Sequence, residues 1–181
     1  MKAVESSEIK MNLVQGEFRV SGDPRVVMTT LLGSCVAACI CDPLARVGGM
    51  NHFLLPGTEE HRGSGESERY GAYLMELLVN GLLKLGAGRD RLQAKIFGGA
   101  RTVRGLGDIG GANGAFARDF LLREGITLRN VSLGGETGRR IQFWPATGRA
   151  RQLFMAKGED VPLANPRLTP SMPHGGELEL F

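Results

Sequence analysis

The sequence predicts an α/β protein, a layered mixed-sheet sandwich with two main helices. Three observations carry this. Short apolar runs such as 36–41 and 140–144 are closed off by glycine, proline or aspartate turns, as strands are. Two longer stretches, 67–85 and 113–124, instead repeat their apolar residues at helical spacing. The chain's 181 residues, 42% hydrophobic and 23% charged, are enough for one ordinary domain to close a single core.

Taken in order, residues 17–20 alternate as a first strand, and Ser21-Gly22-Asp23-Pro24 turns the chain. Residues 26–32 run into Gly33-Ser34-Cys35, and 36–41 follow as a buried strand. Asp42-Pro43-Leu44-Ala45-Arg46 is a turn, after which Gly48-Gly49-Met50-Asn51-His52 leads into the next apolar segment. Residues 57–66, polar and glycine-rich, are expected to form a mobile loop able to cover a site. Ser67 reads as the cap of a helix whose Tyr70, Leu74, Leu77, Leu78, Leu82 and Leu85 face the core until Gly86. Residues 93–97 form a short strand ending at Gly98-Gly99, and the second helix over 113–124 carries Phe116, Phe120 and Leu121 on one face. Strands follow at 131–133 and 140–144, and Pro145-Ala146-Thr147-Gly148 turns as a hairpin into 151–156. The folded domain is expected to span 1–158. The stretch 159–181, with Pro162, Pro166, Pro170 and Pro173 and few apolar residues, is expected to be a flexible tail.

Composition excludes several classes. A net charge of +3 is mild, the arginines are scattered, and 6% aromatic residues supply no stacking platform, so no nucleic-acid partner is expected. No apolar run approaches the roughly 18 residues of a membrane span, and the first residues lack the apolar stretch of a secretory leader. A cytoplasmic protein without membrane insertion is the expectation. Cys35, Cys39 and Cys41 are an odd, clustered set that makes no disulfide framework, and Cys39 and Cys41 read as buried strand residues. Neither Cys39-Ile40-Cys41 nor the spacing of His52, His61 and His174 fits a metal site, so no metal is expected. Gly105-Leu106-Gly107-Asp108-Ile109-Gly110 matches a dinucleotide fingerprint literally. No apolar strand ends at its first glycine, however, and Arg101-Thr102-Val103-Arg104 precedes it.

The chemistry lies between residues 29 and 56. Thr29-Thr30-Leu31-Leu32-Gly33-Ser34-Cys35 places a thiol behind a Gly-Ser turn, and His52 stands in the next apolar segment. A catalytic thiol needs a neighbouring base, and two adjacent antiparallel strands would bring His52 to Cys35. The pair alone leaves a protease, a transglutaminase or another acyl-transfer enzyme open. Backbone N–H groups around Ser34 and Cys35 are the candidate oxyanion donors. Gly98, Gly99, Gly134 and Gly135 permit close backbone approach and are expected to line a substrate groove.

Thr29-Thr30-Leu31-Leu32-Gly33-Ser34-Cys35-Val36-Ala37, followed by Gly48 through Pro56, resembles the signature of the CheD family, the chemoreceptor glutamine deamidases of chemotaxis. Further matching blocks are Arg69-Tyr70-Gly71, Ala94 through Ala100, Ile109-Gly110 with Asn113, Gly134-Gly135, Gly138-Arg139-Arg140-Ile141 and Thr147-Gly148. They run in family order from about 16 to about 151. One departure is Ser132, where an acidic residue commonly stands in the family. The resemblance implies a layered deamidase fold and cofactor-free hydrolysis of glutamine side chains on methyl-accepting chemoreceptor helices. It makes Cys35 the nucleophile and His52 the base, with Thr29 orienting the ring and Thr30 as the fallback. It also implies docking to receptors and, in some organisms, to the phosphatase CheC. A non-catalytic chemotaxis adaptor is the alternative.

Overall fold

The computed structural model describes residues 7–55, 65–102 and 108–156. Most of the expected loop at 57–66, His61, Gly105, Gly107, the expected tail at 159–181 and its His174 lie outside the described residues. Among the described residues the strands and α-helices are β1 (Ile9–Asn12), β2 (Phe18–Ser21), β3 (Val26–Leu32), β4 (Val36–Asp42), β5 (Val47–Asn51), α1 (Glu66–Lys84), β6 (Gln93–Gly98), α2 (Ile109–Arg123), β7 (Thr127–Leu133), β8 (Arg139–Trp144) and β9 (Arg149–Phe154).

The strands form two sheets. One has four strands in the order β1-β3-β8-β9, the other five in the order β2-β5-β4-β6-β7. Both are mixed, because β1 runs parallel to β3 and β6 parallel to β7 while the other pairs are antiparallel. The parallel pair β6 and β7 needs a crossover, and α2 supplies it. Both helices pack on the five-stranded sheet, α1 over β2, β5 and β4, and α2 over β4, β6 and β7.

Strand β4 sits at the middle of this arrangement, and all seven of its residues are buried. Side chains alternate across a strand, so its two faces feed two cores. Val36, Ala38 and Ile40 join Phe53, Leu74, Leu78, Phe116 and Phe120 between sheet and helices. Cys35, Ala37, Cys39 and Cys41 join Met28, Leu32, Met50, Ile141 and Phe143 between the two sheets. The layers are therefore helices, five-stranded sheet and four-stranded sheet, a layered α/β sandwich.

Local expectations differ from the structure at several elements; β7, for one, begins at Thr127, four residues before the strand read at 131–133. β1 precedes the strand read as the first; it is four residues long and mostly exposed, so it carries no apolar signal. Ser67 lies inside α1, whose N-cap is Gly65 with no side-chain cap bond. Helix α2 begins at Ile109, four residues before the expected start. Asp108 caps it by accepting a hydrogen bond from the Gly111 N–H, which outweighs the low helix propensity of Gly110 and Gly111.

Candidate active site

β4 and β5 pair antiparallel with Cys39 opposite Met50, and a bridge between Val36 and Phe53 continues the same register. That register sets Ala37 opposite His52 and leaves Cys35 diagonal to it, on the face that looks toward the four-stranded sheet. Diagonal neighbours lie about 7–8 Å apart at the backbone, with side chains closer. Both residues are buried, each 6% exposed.

The turn that carries the thiol is pinned at three successive carbonyls. Ala100 N–H donates to the Gly33 oxygen at 2.8 Å and Gly99 N–H to the Cys35 oxygen at 2.8 Å. The Asn113 amide donates to the Ser34 oxygen at 2.9 Å. Asn113 also accepts from the Leu55 N–H at 2.9 Å, so this fully buried side chain on α2 joins the Cys35 turn to the segment just past His52. Gly98 has φ +113°, and a side chain there would run into the Cys35 carbonyl. The end of β6 passes this close beneath the turn only as glycine.

His52 is held on both sides. Its N–H donates to the Glu17 oxygen at 2.9 Å, and its carbonyl accepts from Gly16 at 2.8 Å. The ring meets a threonine on β3, and it is the fallback residue rather than the one six positions before the cysteine. Thr30, not Thr29, lies 2.8 Å from Nδ1. Adjacent strand residues face opposite ways: Thr30 points between the sheets and is 2% exposed, whereas Thr29 turns its hydroxyl to Asn12.

This contact determines the tautomer. Thr30 Oγ1 is also 2.8 Å from the Leu13 carbonyl, which can only accept. The hydroxyl has one proton, and only one assignment satisfies every partner: Thr30 donates to Leu13, and Nδ1–H donates to Thr30. Nε2 is then left with its lone pair. It is buried and, among the described residues, without a hydrogen-bond partner. Burial pushes the ring well down, to a pKa of about 4, against the opposing pull of the Leu13 carbonyl and the Glu17 carboxylate. The imidazole is therefore neutral at pH 7. Burial likewise pushes the Cys35 thiol up to about 12, although its own backbone N–H favours the thiolate. At rest the pair is a neutral thiol and a neutral base. The sulfur also donates weakly to Gln15 Oε1 at 3.9 Å.

Beside the site lies a groove of about 560 Å³, lined by Gly99, Gly134, Gly135, Gly110, Arg101 and Arg118 among others. Neither Cys35 nor His52 contributes to its wall, and neither do Ser34 and Gly98. The Gly134-Gly135 lip is shaped by Arg139, which is 1% exposed and donates to the Ser132 and Gly134 carbonyls and to the Ser132 hydroxyl. Where an acidic residue would pair with this guanidinium, Ser132 offers only neutral acceptors. Cys39 and Cys41 are buried strand residues, as expected. Sequence reasoning missed Gln15, because an isolated polar residue before a glycine carries no spacing signal. Asn113 was visible only as part of a resemblance, because its two partners lie 79 and 58 residues away.

A buried thiol and a neutral imidazole, tautomer-locked by a hydroxyl between two sheets, define a cysteine–histidine site on a layered α/β sandwich. The description "CheD chemotactic sensory transduction" matches residues 54–152. A protein of Caulobacter sp. (strain K31), named probable chemoreceptor glutamine deamidase CheD, is 54% identical over 96% of this chain and 93% of its own. Proteins of the same name from Rhizobium meliloti (strain 1021) and Acidiphilium cryptum (strain JF-5) are 51% and 56% identical, over 98% and 95% of this chain and 98% and 93% of theirs. The chain belongs to the CheD family. A solved structure, Neisseria meningitidis protein NMB0706, is a looser likeness, with a TM-score of 0.44 and 13% identity over 72% of this chain and 64% of that one.

Proposed function

We propose that this protein is a chemoreceptor glutamine deamidase that hydrolyses glutamine side chains on receptor helices to glutamate and ammonia, with Cys35 as nucleophile. The observation that carries the mechanism is the free Nε2 lone pair of His52 on the face it shares with the Cys35 thiol. As the carboxamide arrives, Nε2 takes the thiol proton and the sulfur adds to the carbonyl carbon, moving the C=O electron pair onto oxygen. Collapse of that adduct breaks the C–N bond, and His52 returns the proton to the departing ammonia. Water then attacks the thioester while His52 accepts its proton. The C–S bond breaks as His52 passes that proton to the sulfur, so glutamate leaves and the thiol and neutral imidazole are restored. Thr30 holds the ring in the tautomer these steps need.

Because thiol and imidazole are neutral at rest, the thiolate is a minor species until substrate is in place. Protein-borne glutamine fits this: remote binding energy would seat the carboxamide, and the glycine-lipped groove beside the site offers the room. The same family resemblance makes a CheC-like phosphatase a candidate partner. The proposed place of action is the cytoplasm. Among the described residues, no helix is long and apolar enough to cross a membrane.

The test is mass spectrometry of a receptor cytoplasmic fragment after incubation with the protein. Glutamine-to-glutamate conversion at defined positions is expected, abolished in Cys35→Ala and retained in Cys39→Ala and Cys41→Ala. Undiminished conversion by Cys35→Ala would end the covalent mechanism. No conversion by the wild type would favour the adaptor.

A further inference from the structure

We propose that the Tyr70 hydroxyl is a side-chain donor of the oxyanion hole, holding the carboxamide oxygen of the substrate as Cys35 adds to its carbon; this rests on the deamidase reading above. Tyr70 stands in the first turns of α1, and its ring packs against the core between helices and sheet. Its oxygen is buried and, among the described residues, has no hydrogen-bond partner. Buried polar groups are nearly always paired, so an unspent donor needs an explanation. Of the three buried side-chain polar atoms without a partner among the described residues, one is His52 Nε2, whose vacancy the proton transfer uses. Tyr70 Oη reaches the same corner. It lies 3.3 Å from where a side chain on Gly16 would begin. Gly16 N–H holds the His52 carbonyl at 2.8 Å, and the adjoining Gln15 meets the Cys35 sulfur.

The environment also keeps the phenol a donor. Burial, and then a negative charge on Cys35, push its pKa up, so the proton stays on oxygen. Charge developing on the carboxamide oxygen would attract that O–H, with the Cys35 N–H as the companion donor. No proton need move from Tyr70, because the one that leaves with ammonia comes from His52.

Tyr70→Phe removes only the hydroxyl. Losing one oxyanion donor costs roughly 10²–10³ in kcat. Assayed on the receptor fragment beside the wild type and Cys35→Ala, Tyr70→Phe is expected to lose about 100-fold in kcat with KM and thermal midpoint unchanged. Its Cys35 should be alkylated by iodoacetamide at the wild-type rate. A kcat within threefold of wild type, or a change confined to KM, would overturn the assignment. So would an equal fall in alkylation, which would make Tyr70 a partner of the thiolate instead. If Cys35→Ala keeps wild-type activity, the failure belongs to the deamidase mechanism and not to Tyr70.

Discussion

Thr29 and Thr30 are neighbours with unrelated surroundings, and the difference is one step of strand alternation. Counting six residues back from Cys35 leads to Thr29, but what decides is which face of β3 meets the five-stranded sheet. That is a property of the pairing between layers, which spacing along the chain does not encode. The consequence can be measured. Thr30→Val keeps the shape and loses both the lock on Nδ1–H and the bond to Leu13. We expect kcat to fall about 10- to 100-fold, below the 10²–10⁴ typical of losing general acid–base help itself. Stability should drop by about 1 kcal/mol for the buried hydrogen bonds. Thr29→Val should stay close to wild type in deamidation rate. The reverse order of damage would return the orienting role to Thr29.

At the scale of elements, the readable part of the sequence was whatever buries an apolar face. Residues 26–32, 36–41 and 140–144 fall within a residue of β3, β4 and β8, because continuous or alternating apolar runs have few other uses. α1 was equally plain from its leucines. What escaped depends on partners distant in sequence: β1 exists because β3 offers it an edge, and α2 starts early because Asp108 caps it. Asn113 belongs to the same class. It is a polar residue on a helix whose meaning appears only when Ser34 and Leu55 are brought to it. Asn113→Asp would keep the acceptor for Leu55 N–H and set an oxygen against the Ser34 carbonyl in place of the donor. We expect the Cys35 turn to loosen and kcat to fall at least 10-fold, with a smaller proportional change in KM, since positioning is lost rather than substrate contact. Steady-state kinetics on the receptor fragment would show it. Unchanged kcat in a folded Asn113→Asp variant would remove the helix from the site's support.

For the molecule as a whole, the buried His52 ties the proposed site to acid stability. In the unfolded chain its ring titrates near 6.5, and in the folded protein near 4. Between those values the unfolded state binds a proton that the native state refuses, so stability rises with pH across this window and falls as the solution is acidified from 6.5 to 4. The shift corresponds to at most about 3 to 4 kcal/mol, since each pKa unit is worth about 1.4 kcal/mol. The carboxylate of Asp42, fully buried, works in a separate range. Burial alone would raise it, but hydrogen bonds from Arg91, Gly88, Ala45 and Leu44 hold it down to about 2, so its contribution is lost only as pH falls below 3.8. At the other end the Cys35 thiol, pushed from 9.0 to about 12, makes stability fall as pH rises above 9. A plateau from about 6.5 to 9 is therefore expected. Urea unfolding at steps from pH 7 to pH 4 would show the wild type losing stability across that interval. His52→Gln, which cannot titrate there, should lose markedly less over the same steps and converge on the wild type at the acid end. Parallel losses in the two proteins would mean that His52 is not the group that titrates. In that case the depressed imidazole, and the neutral resting pair built on it, would have to be given up.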